Sequence, residues 1–197
     1  MRKCLALIFL LPLFLLGAAD FDCVVIGTSP ISMLEAISRA FSGEKVLLLD
    51  QAAEAGGAWK SIRACDISHV DMGCHQLVGS TPEVKAFLEK YVGCKMVPME
   101  KPFEMWNGHS EYYFSRGCYE LIHNLEKIIA KTPIVYLLNH SVDTVFMQGG
   151  TLTVEAQGKR YTTHRIITVP SSFFNLEGIL PKRTAPQPSF NSSQKKR

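Results

Sequence analysis

The chain has 197 residues, 47% hydrophobic and 20% charged, which is enough apolar content for one packed domain and too much for a disordered chain. Seven of its 21 basic residues fall in the first three or last sixteen positions, leaving 14 against 18 acidic ones, so the body is acidic by four charges although the formal net charge is +3. A body of that sign lacks the basic face that nucleic acid requires, and nucleic acid is excluded as a partner.

Arg2 and Lys3 precede an apolar run from Leu5 to Leu16, and small residues follow at Gly17, Ala18 and Ala19. This is the pattern of a signal peptide over residues 1–19, cleaved after Ala19, and it predicts export to the secretory pathway. An uncleaved N-terminal anchor is the alternative. Pro12 and the shortness of the run make it a poor membrane span, which needs ~20 apolar residues. Cleavage removes Cys4 and leaves Cys23, Cys65, Cys74, Cys94 and Cys118. An odd number without C-x-x-C spacing predicts neither a zinc site nor a closed disulfide framework.

The mature chain opens on a continuous apolar run, Phe21 to Ile26, that ends at Gly27. Such runs suit a strand buried on both faces of a parallel sheet. Thr28, Ser29 and Pro30 make a turn, with Pro30 placed to start a helix. Apolar residues at Ile31, Leu34, Ile37 and Phe41 then recur at helical spacing until Ser42 and Gly43. Lys45 to Asp50 is a second buried strand with an acid at its end. Ala55-Gly56-Gly57-Ala58-Trp59 is a glycine turn, and residues 61 to 80 read as irregular. A helix is predicted from Thr81 to Val92, ending at Gly93, and another from Cys118 to Lys131. Short strands follow at 134–138, 142–147, 151–156, 160–163 and 165–169, with turns at Gly149-Gly150 and Gly158-Lys159. From residue 173 the chain is a basic, Pro- and Ser-rich tail of disordered composition. The domain is therefore residues 20–172, of α/β class: a Rossmann-type parallel sheet with an antiparallel β-meander insertion.

The first strand, turn and helix carry a partial dinucleotide fingerprint. Its six positions are Gly27-Thr28-Ser29-Pro30-Ile31-Ser32, so only the first glycine of G-x-G-x-x-G is present. Gly27 makes the tight turn. Ser29 stands where the backbone approaches a pyrophosphate, and Ser32 stands where helix and strand pack closely. Asp50 lies where an acid accepts from ribose hydroxyls, which disfavours a phosphorylated ribose. The fingerprint leaves two readings: an ADP-binding unit, or the same unit kept for its fold alone.

Three segments in order resemble the flavoprotein group that holds the flavin amine oxidases, protoporphyrinogen oxidase and the phytoene desaturases: FDCVVIGTSP…KVLLLDQAAEAGGAWKS, then VDMGCHQL, then Cys118 to Pro170 with its V-x-x-V stretch at Val142 to Val145. The resemblance covers about residues 21 to 172. It implies FAD as cofactor, Gly56, Gly57 and Trp59 against the cofactor, His75 near the flavin edge, and the backbone at Val142 against adenine. Ala58 stands where the group has a basic residue, which removes a phosphate partner. Members of the group continue past the meander into a substrate domain and a closing strand, so the resemblance also implies a truncated and inactive relative. The same opening is similar to Rab escort proteins and Rab GDP-dissociation inhibitors, which share the fold, work without flavin and bind prenylated GTPases. That gives a non-catalytic binding protein with a protein partner as the alternative function.

The remaining candidates are weaker. Asp66, His69, Asp71 and His75 lie in one segment without a matching second cluster, so capping or solvated roles are expected and no metal. His75 is equally well read as a hydrogen-bonded loop histidine, and Trp106 as a core residue. Asn139-His140-Ser141 and Asn191-Ser192-Ser193 are glycosylation sequons if the chain is exported. No residue reads as a catalytic acid, base or nucleophile.

Overall fold

A computed structural model describes residues 19–72, 76–77, 80–99 and 112–168. Residues 1–18 of the expected signal peptide, Cys74, His75, Trp106 and the expected tail from residue 173 lie outside the described residues. No helix among the described residues is long and apolar enough to cross a membrane.

The central layer is a four-stranded parallel sheet in the order β12-β1-β2-β8, formed by Cys23–Ile26 (β1), Val46–Leu49 (β2), Val135–Leu137 (β8) and Ile166–Thr168 (β12). Val24 pairs with Leu47 on one side and with Ile166 on the other. The continuous apolar runs of β1 and β2 follow from this position, because alternate side chains enter two different cores. Cys23, Val25, Val46 and Leu48 join the helical core. Val24, Ile26, Leu47 and Leu49 face the meander together with Val145, Val154 and Ala156.

The helical layer is α1 (Pro30–Phe41) and α3 (Gly117–Ile129), which pack on each other. α1 buries Met33, Ala36, Ile37 and Ala40, and α3 buries Leu121, Ile122, Leu125 and Ile129. A short helix, α2 (Pro82–Phe87), widens into a single π turn over Leu88–Val92 and stops at Gly93, whose φ of 79° suits glycine. On the other face β9 (Val142–Gln148), β10 (Thr151–Ala156) and β11 (Lys159–Thr163) form the meander. Its second turn is Gln157-Gly158 rather than the expected Gly158-Lys159, since Ala156 pairs with Lys159. Both turn residues have positive φ, the geometry that matches strand twist in a two-residue hairpin.

The structure corrects the expectation of an irregular stretch over residues 61 to 80. Ser61–Ala64 (β3) and Ile67–Asp71 (β4) form an antiparallel hairpin. A further antiparallel sheet joins Gln76–Leu77 (β5), Tyr112–Phe114 (β7) and Met96–Pro98 (β6). Asp71 closes the hairpin onto α3. Its carboxylate accepts the Ser61 hydroxyl at 2.5 Å and the Cys118 amide at 3.1 Å. An acid at the first turn of α3 also faces the positive end of the helix dipole. Asp71→Ala removes both contacts and is expected to cost about 1–2 kcal/mol, read as a fall in melting temperature of about 2–8 °C. A melting temperature equal to wild type would show that the contact contributes nothing.

Candidate functional site

The C-terminal ends of β1 and β2 carry the candidate site, the place where open α/β sheets bind ligands. Gly27 leaves β1 with φ 99°, a conformation that residues with a Cβ avoid. Its amide donates to the Leu49 carbonyl at 2.7 Å, which holds the turn beside the end of β2. Asp50 follows Leu49 directly. Its amide donates to Leu137, and its carbonyl accepts the His140 amide at 2.8 Å, so β2 is tied to the chain leaving β8.

One residue binds these pieces together, and the fingerprint treats it as a spacer. Thr28 is 1% exposed. Its amide and its hydroxyl both donate to Asp50 Oδ2, at 2.8 Å and 2.5 Å. Gly56 then donates its amide to Thr28, at 3.1 Å to the carbonyl and 3.1 Å to the hydroxyl. Asp50 Oδ1 accepts the Ala52 amide at 2.9 Å. Gly27, Asp50 and Gly56 are thus brought to one point by Thr28. The signal that would have found it is a hydroxyl residue beside the turn glycine, facing an acid at the end of the next strand.

The serines of the fingerprint are engaged with each other. Ser29 caps α1, accepting the Ser32 amide on its hydroxyl oxygen at 3.2 Å. The two hydroxyls lie 2.9 Å apart, and Ser32 is buried where α1 meets β1. Pro30 at the first helical position has no amide proton to offer. The helix start therefore presents fewer free donors to a phosphate than an uncapped start would.

Gly56 and Gly57 divide their roles. Gly56 is buried with φ 109°, and a Cβ there would lie 3.0 Å from Ile122 Cγ1 of α3. Gly57 is exposed, with open space around the same position. A single 3₁₀ turn over Gly57–Trp59 follows, and Trp59 packs at the edge of the helical core. Val142 begins β9 opposite Ala156 and packs on the meander-side core. Trp59 and Val142 therefore lie on opposite sides of the central sheet.

A cavity of about 510 Å³ opens between the β3–β4 hairpin and α3, bordered by Ala55, Arg63, His69, Tyr119 and His123. The His69 and Tyr119 rings stack with centroids 3.8 Å apart. None of Gly27, Ser29, Ser32, Asp50, Gly56 or Gly57 lines it. Gly27, Asp50 and Gly56 are gathered instead at the strand ends by the hydrogen bonds through Thr28.

No protein-family model matches the sequence, and no curated protein matches it. Solved structures do resemble it. An oxidoreductase from Methanosarcina mazei aligns with a TM-score of 0.60 at 12% identity, over 75% of this chain and 58% of that one. A putrescine oxidase, taken from a redesign of its cofactor binding, aligns with a TM-score of 0.63 at 12% identity, over 83% of this chain and 61% of that one. CabE, an aromatic hydroxylase from angucycline biosynthesis, aligns with a TM-score of 0.54 at 16% identity, over 75% of this chain and 30% of that one. The chain spans less than two thirds of each. At these identities the likeness establishes the fold: a Rossmann-type parallel sheet with an antiparallel meander, shared with oxidoreductases.

Proposed function

We propose that this chain is an FAD-binding oxidoreductase-like protein of the amine oxidase group. The observation that carries the reading is the convergence of Gly27, Thr28, Asp50 and Gly56 at the ends of β1 and β2. The fold shared with a putrescine oxidase supports it. The residues fit a ribose better than a pyrophosphate. Among the described residues nothing fills the second acceptor position of Asp50 Oδ1, whereas the Ser32 amide is capped and Pro30 offers none. FAD, when bound, supplies the hydride acceptor. The chain's own part is to turn sharply at Gly27, to hold a ribose hydroxyl on Asp50, and to keep the Gly56 turn seated on α3.

The test is direct. Purified protein is expected to carry flavin absorbance or to acquire it with added FAD. FAD at tenfold above its Kd raises the melting temperature by about 3–6 °C, because a ligand of the folded state alone must stabilise it. Colourless protein whose melting point ignores FAD sinks the reading.

One observation favours a second reading, a non-catalytic binding protein on the same fold. An apolar groove of about 920 Å³ runs between α1 and α2, bordered by Leu34, Phe87 and Ile128. Ile31 and Phe41 on its rim are 79% and 75% exposed. Exposed apolar surface of this kind marks interaction sites. The flavin spectrum separates the two readings.

A further inference from the structure

Two features of the sequence have no part in the nucleotide site: the signal-like residues 1–19 and the sequon Asn139-His140-Ser141. An N-x-S/T triplet accepts a glycan where a surface loop presents it in a secretory compartment. The structure puts this triplet in the loop between β8 and β9, with Asn139 and Ser141 both exposed. The loop is held by its backbone. The Asn139 amide donates to the Ala52 carbonyl at 2.9 Å, and the Asn139 carbonyl accepts the Gln157 side-chain amide. Among the described residues no hydrogen bond engages the Asn139 side-chain amide or the Ser141 hydroxyl. Asn139 has φ 57°, a conformation that asparagine tolerates better than most residues, so the turn alone accounts for it. The turn does not account for Ser141; the sequon accounts for both.

The start of the fold agrees with export. Asp20, the first residue beyond the expected cleavage point, is anchored to β11. Its carboxylate accepts the Thr162 amide at 3.0 Å and the Thr162 hydroxyl at 2.9 Å. Loss of residues 1–19 leaves both contacts in place.

We propose that Asn139 is an N-glycan acceptor, modified when residues 1–19 carry the chain into a secretory compartment. The proposal is independent of the flavin reading. The sugar donor is an oligosaccharide joined to a lipid diphosphate, supplied with its transferase by that compartment. Asn139 Nδ2 forms a bond to the anomeric carbon and gives up one proton. The bond from that carbon to the diphosphate breaks, and the lipid diphosphate leaves with the electron pair. Because the side-chain amide is exposed and holds no contact of the fold, the folded chain accommodates the sugar without losing a hydrogen bond.

The experiment expresses the full chain, with its own residues 1–19, in cultured animal cells. The glycan is removed with peptide-N-glycosidase F, which leaves aspartate at a formerly glycosylated asparagine, and peptide masses locate the change. Conversion is expected at position 139, read separately from Asn191. Ser141→Ala leaves the Asn139 turn intact and is expected to abolish conversion at 139, whereas Ser141→Thr keeps it. Asn139→Gln removes the acceptor itself; the serine variants keep the test valid if glutamine strains the turn. A second chain, with residues 1–19 replaced by the signal of a secreted protein, separates export from acceptance. Conversion at 139 in that chain alone supports Asn139 as acceptor and overturns export by residues 1–19. No conversion at 139 in either chain overturns the proposal, as does conversion that persists in Ser141→Ala.

Discussion

Gly56→Ala is expected to lower the melting temperature by about 6–12 °C, equivalent to about 3 kcal/mol, and to weaken FAD binding with it. Two costs act together. The backbone at Gly56 has φ 109°, where an L-residue is strained by about 1–2 kcal/mol. The new Cβ would also lie 3.0 Å from Ile122 Cγ1 and 3.2 Å from the Lys60 amide nitrogen. Ile122 is buried in the α3 core and has little room to retreat, so crowding adds about 1–3 kcal/mol. The entropy that alanine removes from the unfolded chain returns less than about 1 kcal/mol. Gly57→Ala is the internal control. Its φ is 55° and its Cβ would meet open space, so strain acts there without crowding. Equal melting points for the two variants would show that contact with α3 is not what keeps position 56 a glycine. The ligand effect follows from the amide of Gly56, which donates to both oxygens of Thr28. Any shift of the turn disturbs the group that holds Asp50.

What the sequence reveals and conceals has physical reasons. Cys23 to Ile26 and Val46 to Leu49 are legible because both faces of the central sheet are covered, so every position is apolar. α1 is legible at both ends, from Pro30 at its start and Ser42-Gly43 at its stop. The β3–β4 hairpin is hidden. Its turn is Cys65-Asp66, two non-glycine residues at φ 48° and 62°, in place of the Asn-Gly or Asp-Gly that mark such turns. Its strands place Arg63, Ser68 and His69 in solvent and bury little, so no alternation shows. β6 and β7, at three residues each, are too short for a period of two to register. At the site, spacing alone picks out Gly27, Asp50 and the glycine pair. It misses that Asp50 is already bonded, because Thr28 sits at a position where the fingerprint allows any residue. Spacing places a residue on a strand end; it does not say which neighbour has taken its lone pairs.

Stability is expected to fall steeply between pH 9 and pH 11, by up to about 5 kcal/mol, through two buried thiols. Burial pushes Cys23 from 9.0 to about 11, because the thiolate would stand on β1 inside the helical core. Cys94 is likewise pushed to about 11, by burial first and then by the charge of Glu120. In the unfolded chain both titrate near their ordinary value. The folded state binds the proton more tightly, so the contribution is complete below pH 9 and is lost as pH climbs through the folded value. A rise from 9.0 to about 11 corresponds to about 2–3 kcal/mol for each thiol. Tyr136 acts in the same direction at still higher pH. Burial raises it first, and the Glu126 carboxylate that accepts its hydroxyl at 3.1 Å raises it further. The measurement is the urea midpoint under reducing conditions at pH 8, 9.5 and 11, for wild type and for the Cys23→Ala, Cys94→Ala double variant. Lysine deprotonation weakens both proteins alike over this range. The double variant loses some packing at pH 8 but is expected to have the flatter profile above pH 9. Parallel profiles would mean that the thiols ionise without unfolding the core, and that the packing of β1 against α1 and α3 tolerates a buried charge.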